Sequence, residues 1–348
     1  MGEPRMTLHG EMLGHGEDGQ RAALFLEGLL MAQVALVLAR LGVPDLMAAG
    51  PRQVADLAAE TGAHPDALGR VLAAAAAYGL VRRDDSGKYT LTGAGELFRT
   101  DVAGSARSLA AGFLGPPMWM VGSNIADVVA TGMVNPGAPG GLYEYYGKHP
   151  EEARWFGRAM SRVTTTMIAQ LAAAGFRPLA SGRIVDVGGG RGTLLAYLLG
   201  ADPEATGVVY DRAEALAEAP QVLADAGLTG RAEPVAGNFL QEVPPADLYV
   251  ISQVLHNWQD EQVRAILGSC RLAGRPGNSI MVIELMLPDG SEPSIAHLMD
   301  LIMLTTVGGR ERTRAQHEEL MAESGYTLVR DTKLAGVLPY RVLEFLRQ

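Results

Sequence analysis

The 348 residues are enough for two domains, each able to bury a core. Hydrophobic residues make up 48% and charged residues 20%, the balance of a soluble globular protein, with no apolar run near the roughly 20 residues a membrane span needs. The net charge of -10 argues against nucleic acid as a partner, and the single cysteine, Cys270, excludes an internal disulfide framework and a cysteine-based zinc site.

The opening stretch MGEPRMTLHGEMLGHGEDGQR is polar and mixed in charge, unlike a signal or transit peptide, so a cytoplasmic location is expected. Residues 21–41 are apolar nearly all round, and a helix of that kind must be buried against something. In so small a domain a second subunit can supply the cover. From Val54 to Phe98 the pattern is two short helices about a turn at Gly62 to Pro65, then strand, turn and strand around Asp85, Ser86 and Gly87. That is the order of a winged helix. A helix-turn-helix puts its second helix into the major groove, but here Asp66 to Tyr78 holds Arg70 and a run of alanines, with little to offer phosphates. Packing or dimerisation is the better reading. Residues 101–150 are helical pieces broken by Gly115-Pro116-Pro117 and by a loop at 135–141, and 151–174 form a long amphipathic helix.

From Arg183 onward strands and helical runs alternate: IVDV, GVVYD, EPVAG, DLYVIS and SIMVIE. Such alternation predicts a parallel sheet with helices on both faces and a ligand beyond the carboxyl ends of the strands. The first of these strands ends in Asp186 and runs into Gly188, Gly190 and Gly192. A loop so spaced can turn tightly and bring bare backbone against a ligand. A nicotinamide loop would need glycine at Thr193, and a P-loop would need a lysine followed by serine or threonine. Both fail on residue identity, which leaves S-adenosylmethionine as the common remaining guest.

Asp211 closes the second strand, placed to accept the ribose hydroxyls of an adenosine. The third ends in Gly237-Asn238-Phe239, which can offer an amide to the adenine edge and a ring to its face. The fourth leads into ISQVLHNWQDEQ, so His256 falls just past a strand end, beside the cofactor crevice. Histidine is the side chain whose ordinary pKa suits proton acceptance near neutral pH. Glu284, expected at the end of the fifth strand, and Glu311, in the loop GGRERT, can each hold its imidazole in one tautomer. A sulfonium methyl is already activated, so the enzyme has to align an oxygen and take its proton, and phenols, with a pKa near ~10, need that help. The sequence shows no clustered acidic set of the kind that binds magnesium, so no metal is expected. Trp258 reads as a core or helix-start ring.

Together these motifs resemble the plant-type small-molecule O-methyltransferases, the family of caffeic acid O-methyltransferase and its bacterial relatives that decorate antibiotics and other aromatic natural products. The likeness spans nearly the whole chain: the helical, winged first half, VDVGGGRG, Asp211, LHNW at 255–258, Glu284 and GGRERT. It implies an α/β class I methyltransferase with a Rossmann-like sheet, divided into a helical winged-helix-like dimerisation domain at 1–100, a connector with substrate-pocket helices at 101–180, and an S-adenosylmethionine-binding catalytic domain at 181–348. It also implies a homodimer. Asp186, Gly188, Gly190, Asp211, Gly237, Asn238, Phe239 and Ser252 would hold the cofactor, His256 would be the general base, and Glu284 and Glu311 would flank it. Phe156 and Met160, with Met303, resemble positions lining the pocket for a small hydroxylated aromatic substrate. Met299 lies on the face of Met303, and Asp300, polar within an apolar helix, is a further candidate for substrate contact. Three departures stand out: plant members usually carry aspartate at Asn238, lysine at Ser252 and aspartate at Asn257. Methylation at nitrogen or carbon, a non-methylating relative of the fold, and a winged-helix regulator with a cofactor sensor are the competing readings.

Overall fold

The computed structural model describes residues 16–122, 125–132, 141–336 and 338–348. Most of the loop expected at 135–141 therefore lies outside the described residues, with Gly141 opening the helix Gly141–Lys148. Two compact units emerge, one from residues 1–119 and 145–162, the other from 120–144 and 163–348. The segment 101–180, expected as a separate connector, is thus shared between them.

In the first unit the helix Glu17–Leu41 stops at Gly42, whose φ of 69° closes the last turn. The helices Val54–Thr61 and Pro65–Ala77 follow, then β1 (Val81–Arg83) and β2 (Tyr89–Leu91) pair as an antiparallel hairpin. Leu38, Val43, Met47, Leu57, Leu68, Leu72 and Tyr89 close a core between them. The long helix leaves Leu24, Phe25, Leu26, Leu29 and Leu30 exposed, Phe25 by 88%. Covering one such ring is worth about 2 kcal/mol. One expectation needs correcting: Glu17–Leu41 does have the length and apolar composition of a membrane-spanning helix. Glu27 interrupts the apolar run without diluting it, so judging by unbroken runs missed it. A helix buried by a second subunit has the same composition.

The second unit is built on β3 (Arg183–Val187), β4 (Thr206–Asp211), β5 (Ala232–Ala236), β6 (Leu248–Ser252), β7 (Ser279–Leu287), the short β8 (Arg312–Thr313), β9 (Tyr326–Lys333) and β10 (Tyr340–Arg347). The order across the sheet is β5-β4-β3-β6-β7-β10-β9, with β8 paired to β7. Strands β3 to β7 run parallel, and β10 lies antiparallel between β7 and β9. The sheet is therefore mixed, not wholly parallel as expected, because the final hairpin folds back along the β7 edge. No helix lies between β5 and β6, where turns suffice. Strand β7 runs on to Leu287, so Glu284 sits within the strand and not at its end. Apolar side chains pack on both faces, led by Leu195, Leu199 and Ile283 on one and Tyr249, Ile266 and Phe345 on the other.

Successive strands step outward from β3 toward β5 in one direction and from β6 toward β7 in the other. Their connections leave on opposite faces, which opens a crevice at the carboxyl ends of β3 and β6, the position where such sheets bind ligands.

Candidate active site

All of β3 after Arg183 is buried, and the strand delivers Asp186 and Val187 to that crevice. Gly188, Gly190 and Gly192 then take φ of 75°, 53° and 78°, a left-handed path that strains any residue with a Cβ. At Gly188 a Cβ would come within 2.6 Å of the Val254 side chain, so the loop packs on the segment that carries His256. Its amide donates to the Tyr210 carbonyl at 2.7 Å, which ties the loop to β4.

Two carboxylates face this loop. Asp211 accepts from the Gly190 amide at 3.0 Å through Oδ2 and from the Arg212 amide at 2.7 Å through Oδ1. Burial still raises its pKa. Asp186 is almost fully buried, and its Oδ2 has no hydrogen-bond partner among the described residues. Burial, then the nearby Asp211 charge, push its carboxyl up to about 7, partly offset by the Leu195 amide. A buried, partnerless acceptor next to a second acid suits a ligand that brings a cationic donor. S-adenosylmethionine fits that description, with its ammonium and sulfonium charges and its ribose hydroxyls.

Asn238 spends its Oδ1 on the Leu240 amide at 3.1 Å. Phe239 meets Trp258 edge to face at 5.9 Å, and Trp258 packs on the core cluster as expected of a core ring. At Gly237 a Cβ would fall 2.0 Å from the Tyr210 hydroxyl, so glycine is required there to admit that ring. The Ser252 hydroxyl donates to Met167 Sδ at 3.4 Å.

His256 lies in the turn Leu255–Asn257, immediately beyond β6, and is buried. Its Nδ1 is 2.9 Å from Glu311 Oε1 and 3.4 Å from Glu284 Oε2. A single ring nitrogen makes one good hydrogen bond, so Glu311 is the partner and Glu284 the neighbouring charge. Glu284 Oε1 accepts from the Val254 and Leu255 amides at 3.1 and 3.0 Å. Those two bonds explain how a fully buried carboxylate persists inside β7. Burial pulls the imidazole pKa down, but the Glu284 charge and the Glu311 hydrogen bond and charge outweigh it, leaving His256 raised to about 9. Burial raises Glu284 in turn, against the pull of His256. These three residues also have the donor types of a metal site.

Residues that sequence reasoning missed hold this cluster in place. Gln253 is the non-glycine residue with positive φ, 56°, among the described residues. Its side-chain amide donates to Glu284 Oε2 at 3.3 Å, and its carbonyl accepts from the Asn257 amide at 3.3 Å. An aspartate at 257 has no such donor. Nothing in the sequence around Gln253 signals a left-handed residue. The loop 308–312 is laced to the His256 turn: the Arg310 amide donates to the His256 carbonyl at 2.9 Å, and the Gln259 side chain donates to the Gly308 carbonyl. At Gly309 a Cβ would fall 2.0 Å from that same His256 carbonyl.

The remaining candidates sit as follows. Asp300, half-buried, accepts the Glu311 amide at 2.8 Å, which gives a polar residue in the apolar helix Ile295–Thr306 a structural cause. Met303 is buried, and Met299 packs on the core under the sheet. In the first unit Phe156 stacks on Tyr146 at 4.7 Å and meets Phe113 edge to face at 6.0 Å, with Met160 half-buried on the same helix.

Comparison with known proteins matches residues 124–327 to an O-methyltransferase domain and residues 24–101 to an O-methyltransferase dimerisation domain. Phenazine O-methyltransferase PhzM of Lysobacter antibioticus is 34% identical, over 88% of this chain and 90% of its own. The 8-amino-8-demethylriboflavin N,N-dimethyltransferase of Streptomyces davaonensis is 32% identical, over 94% of each. Among solved structures, the O-methyltransferase NcsB1 from neocarzinostatin biosynthesis, in complex with S-adenosylmethionine and 2-hydroxy-5-methyl naphthoic acid, superposes with a TM-score of 0.79 at 34% identity, covering 91% of this chain and 96% of that one.

Proposed function

Because this chain belongs to the O-methyltransferase family, and is an S-adenosylmethionine-dependent enzyme of the bacterial natural-product type, we propose that it methylates a phenolic hydroxyl of a small aromatic compound with His256 as general base. The observation that carries this reading is the buried imidazole beside the glycine loop, with Nδ1 facing Glu311 Oε1 at 2.9 Å. S-adenosylmethionine supplies the activated methyl group. Asp186 meets its cationic end, Asp211 its ribose, and the left-handed glycines leave room for it against bare backbone. Asn238 offers the same ligand its side-chain amide, Phe239 its ring and Ser252 its backbone carbonyl.

Glu311 accepts the Nδ1 proton and so selects the tautomer that leaves Nε2 to take a proton from the acceptor. The imidazolium that forms is stabilised by Glu284 and Glu311 together. Magnitude favours a phenol. With His256 near 9 and a phenol near ~10, proton transfer is uphill by about 1.4 kcal/mol, whereas an alcohol as weakly acidic as water, ~15.7, is out of range by about 9 kcal/mol. In this reading the cluster of His256, Glu284 and Glu311 holds a proton and not a metal, with His256 Nδ1 in hydrogen-bond contact with Glu311 Oε1 at 2.9 Å. Met299 and Met303, in the second unit, are the proposed apolar contacts for the acceptor. The exposed face around Phe25 is the proposed homodimer contact.

His256→Ala should abolish turnover while leaving S-adenosylmethionine binding, measured by calorimetry, unchanged. Near wild-type turnover in that variant would overturn the base assignment. A panel of phenols and aryl amines, read by product mass and NMR, identifies the atom that gains the methyl, and transfer only to nitrogen would overturn the phenol assignment. Chelator treatment should not change the rate.

A further inference from the structure

The residue that does most to hold the His256 turn and the Glu311 loop together is neither of them. Arg312 carries one of the largest fully buried side chains among the described residues, and its guanidinium is spent mainly on the segment around His256, with Nη1 also reaching the Arg310 carbonyl at 3.5 Å. Nη1 donates to the Leu255 carbonyl at 3.0 Å and Nη2 to the Trp258 carbonyl at 2.8 Å, so the two bonds bracket His256 and Asn257. Nε and Nη2 both reach Asp260 Oδ1, at 3.0 and 2.7 Å, on the first residue of the helix Asp260–Ala273. Backbone pairing of Arg312 with Met286 docks the same residue on β7, downstream of Glu284. Arg312 thus joins three elements: the turn with the base, the strand with Glu284 and the loop with Glu311.

We infer that Arg312 is a positioning residue for methyl transfer, fixing the His256 turn against Glu311 through its fork of hydrogen bonds to Leu255, Trp258 and Asp260. The inference rests on the reading of His256 as base. Only a planar fork reaches two carbonyls and a carboxylate at once, and an ammonium in its place keeps the charge and loses the geometry. With the turn released, Nδ1 drifts from Glu311 Oε1, and the imidazole loses part of the support that keeps its proton affinity high. The charged and titratable groups around it are Glu284 on β7, Glu311 on the loop, Asp260 and Arg310 beside the fork, the buried His317 on the helix Arg314–Glu323, and Tyr340 on β10. Removing the fork changes the geometry of the Glu311 contact directly.

The test is the pH profile of kcat/KM for the acceptor in Arg312→Lys, with Glu311→Gln as comparator and S-adenosylmethionine affinity as control. Arg312→Lys should lower kcat about ten- to hundredfold, leave cofactor affinity within about twofold, and move the ascending limb to lower pH as Glu311→Gln does. A rate loss with an unmoved limb would reduce Arg312 to a structural role, and an unchanged rate would overturn the inference outright. Asp260→Asn leaves Arg312 in place and weakens its anchor, so it decides the question if Arg312→Lys does not fold. The limb should shift in the same direction, by less, and no shift counts against us. If His256→Ala is itself fully active, the base reading has failed, whatever Arg312 does.

Discussion

Replacing Glu311 by glutamine removes one of the two negative charges that hold a proton on His256 while keeping an acceptor opposite Nδ1. From the ordinary 6.5 to about 9, the two carboxylates overcome burial and still gain about 3 kcal/mol at 1.36 kcal/mol per pH unit. Glu311 contributes through both its hydrogen bond and its charge, and Glu284 through charge at 3.4 Å, so losing Glu311 should bring the imidazole down by roughly 1 to 2 pH units. The sign follows from the role of the base: it must be neutral to accept a proton, so kcat/KM rises with pH through the His256 pKa. The ascending limb should therefore move to lower pH in Glu311→Gln. The plateau should fall by about tenfold or more, because the weaker base is less well matched to a phenol and the imidazolium loses a counter-charge. Titration of the ring by NMR in the cofactor-free protein separates His256 from Glu284, which shares the same coupled equilibrium. A wild-type limb at or below 6.5, or one that Glu311→Gln leaves in place, would refute the argument.

Asp186, pushed up to about 7 by burial and the Asp211 charge, must ionise to meet a cationic ligand. S-adenosylmethionine affinity should thus tighten as pH rises from 6 to 8, and Asp186→Asn should flatten that dependence in calorimetry. Phe25→Asp places a charge in the exposed apolar face and should shift the sedimentation coefficient from dimer to monomer; an unchanged value moves the interface elsewhere. Gly309→Ala drives a Cβ into the His256 carbonyl and the Asn257 backbone, both unable to step aside cheaply. It should cost about 1 to 3 kcal/mol in thermal unfolding and more than tenfold in rate.

Much of the candidate cofactor loop was legible from local pattern. A strand ending in Asp186, glycines at 188, 190 and 192, and Asp211 at the end of the next strand are neighbours along the chain or one crossover apart, and glycine at these positions declares a left-handed path directly. The winged hairpin was legible for the same reason, with Gly87 at a φ of 82° between β1 and β2. The reading thinned where contacts are distant. Strand β10 inserts next to β7 from the far end of the chain, and in the GGRERT segment Arg310 is exposed while Arg312 is buried, a difference that two arginines in one short motif do not reveal. Asp300 read as a polar group waiting for substrate, yet its carboxylate holds the Glu311 amide.

By itself the sequence determined the main elements and the cofactor class and singled out His256 as a candidate proton carrier, because backbone conformation and intrinsic pKa belong to residues and their near neighbours. Only the tertiary structure decided which carboxylate reaches Nδ1, at 2.9 Å against 3.4 Å. That outcome depends on where β7, the His256 turn and the 308–312 loop come to rest against one another, and on Arg312 joining them. The balance between burial and two opposing charges, which lifts the His256 imidazole above its ordinary pKa, exists only once those segments are packed.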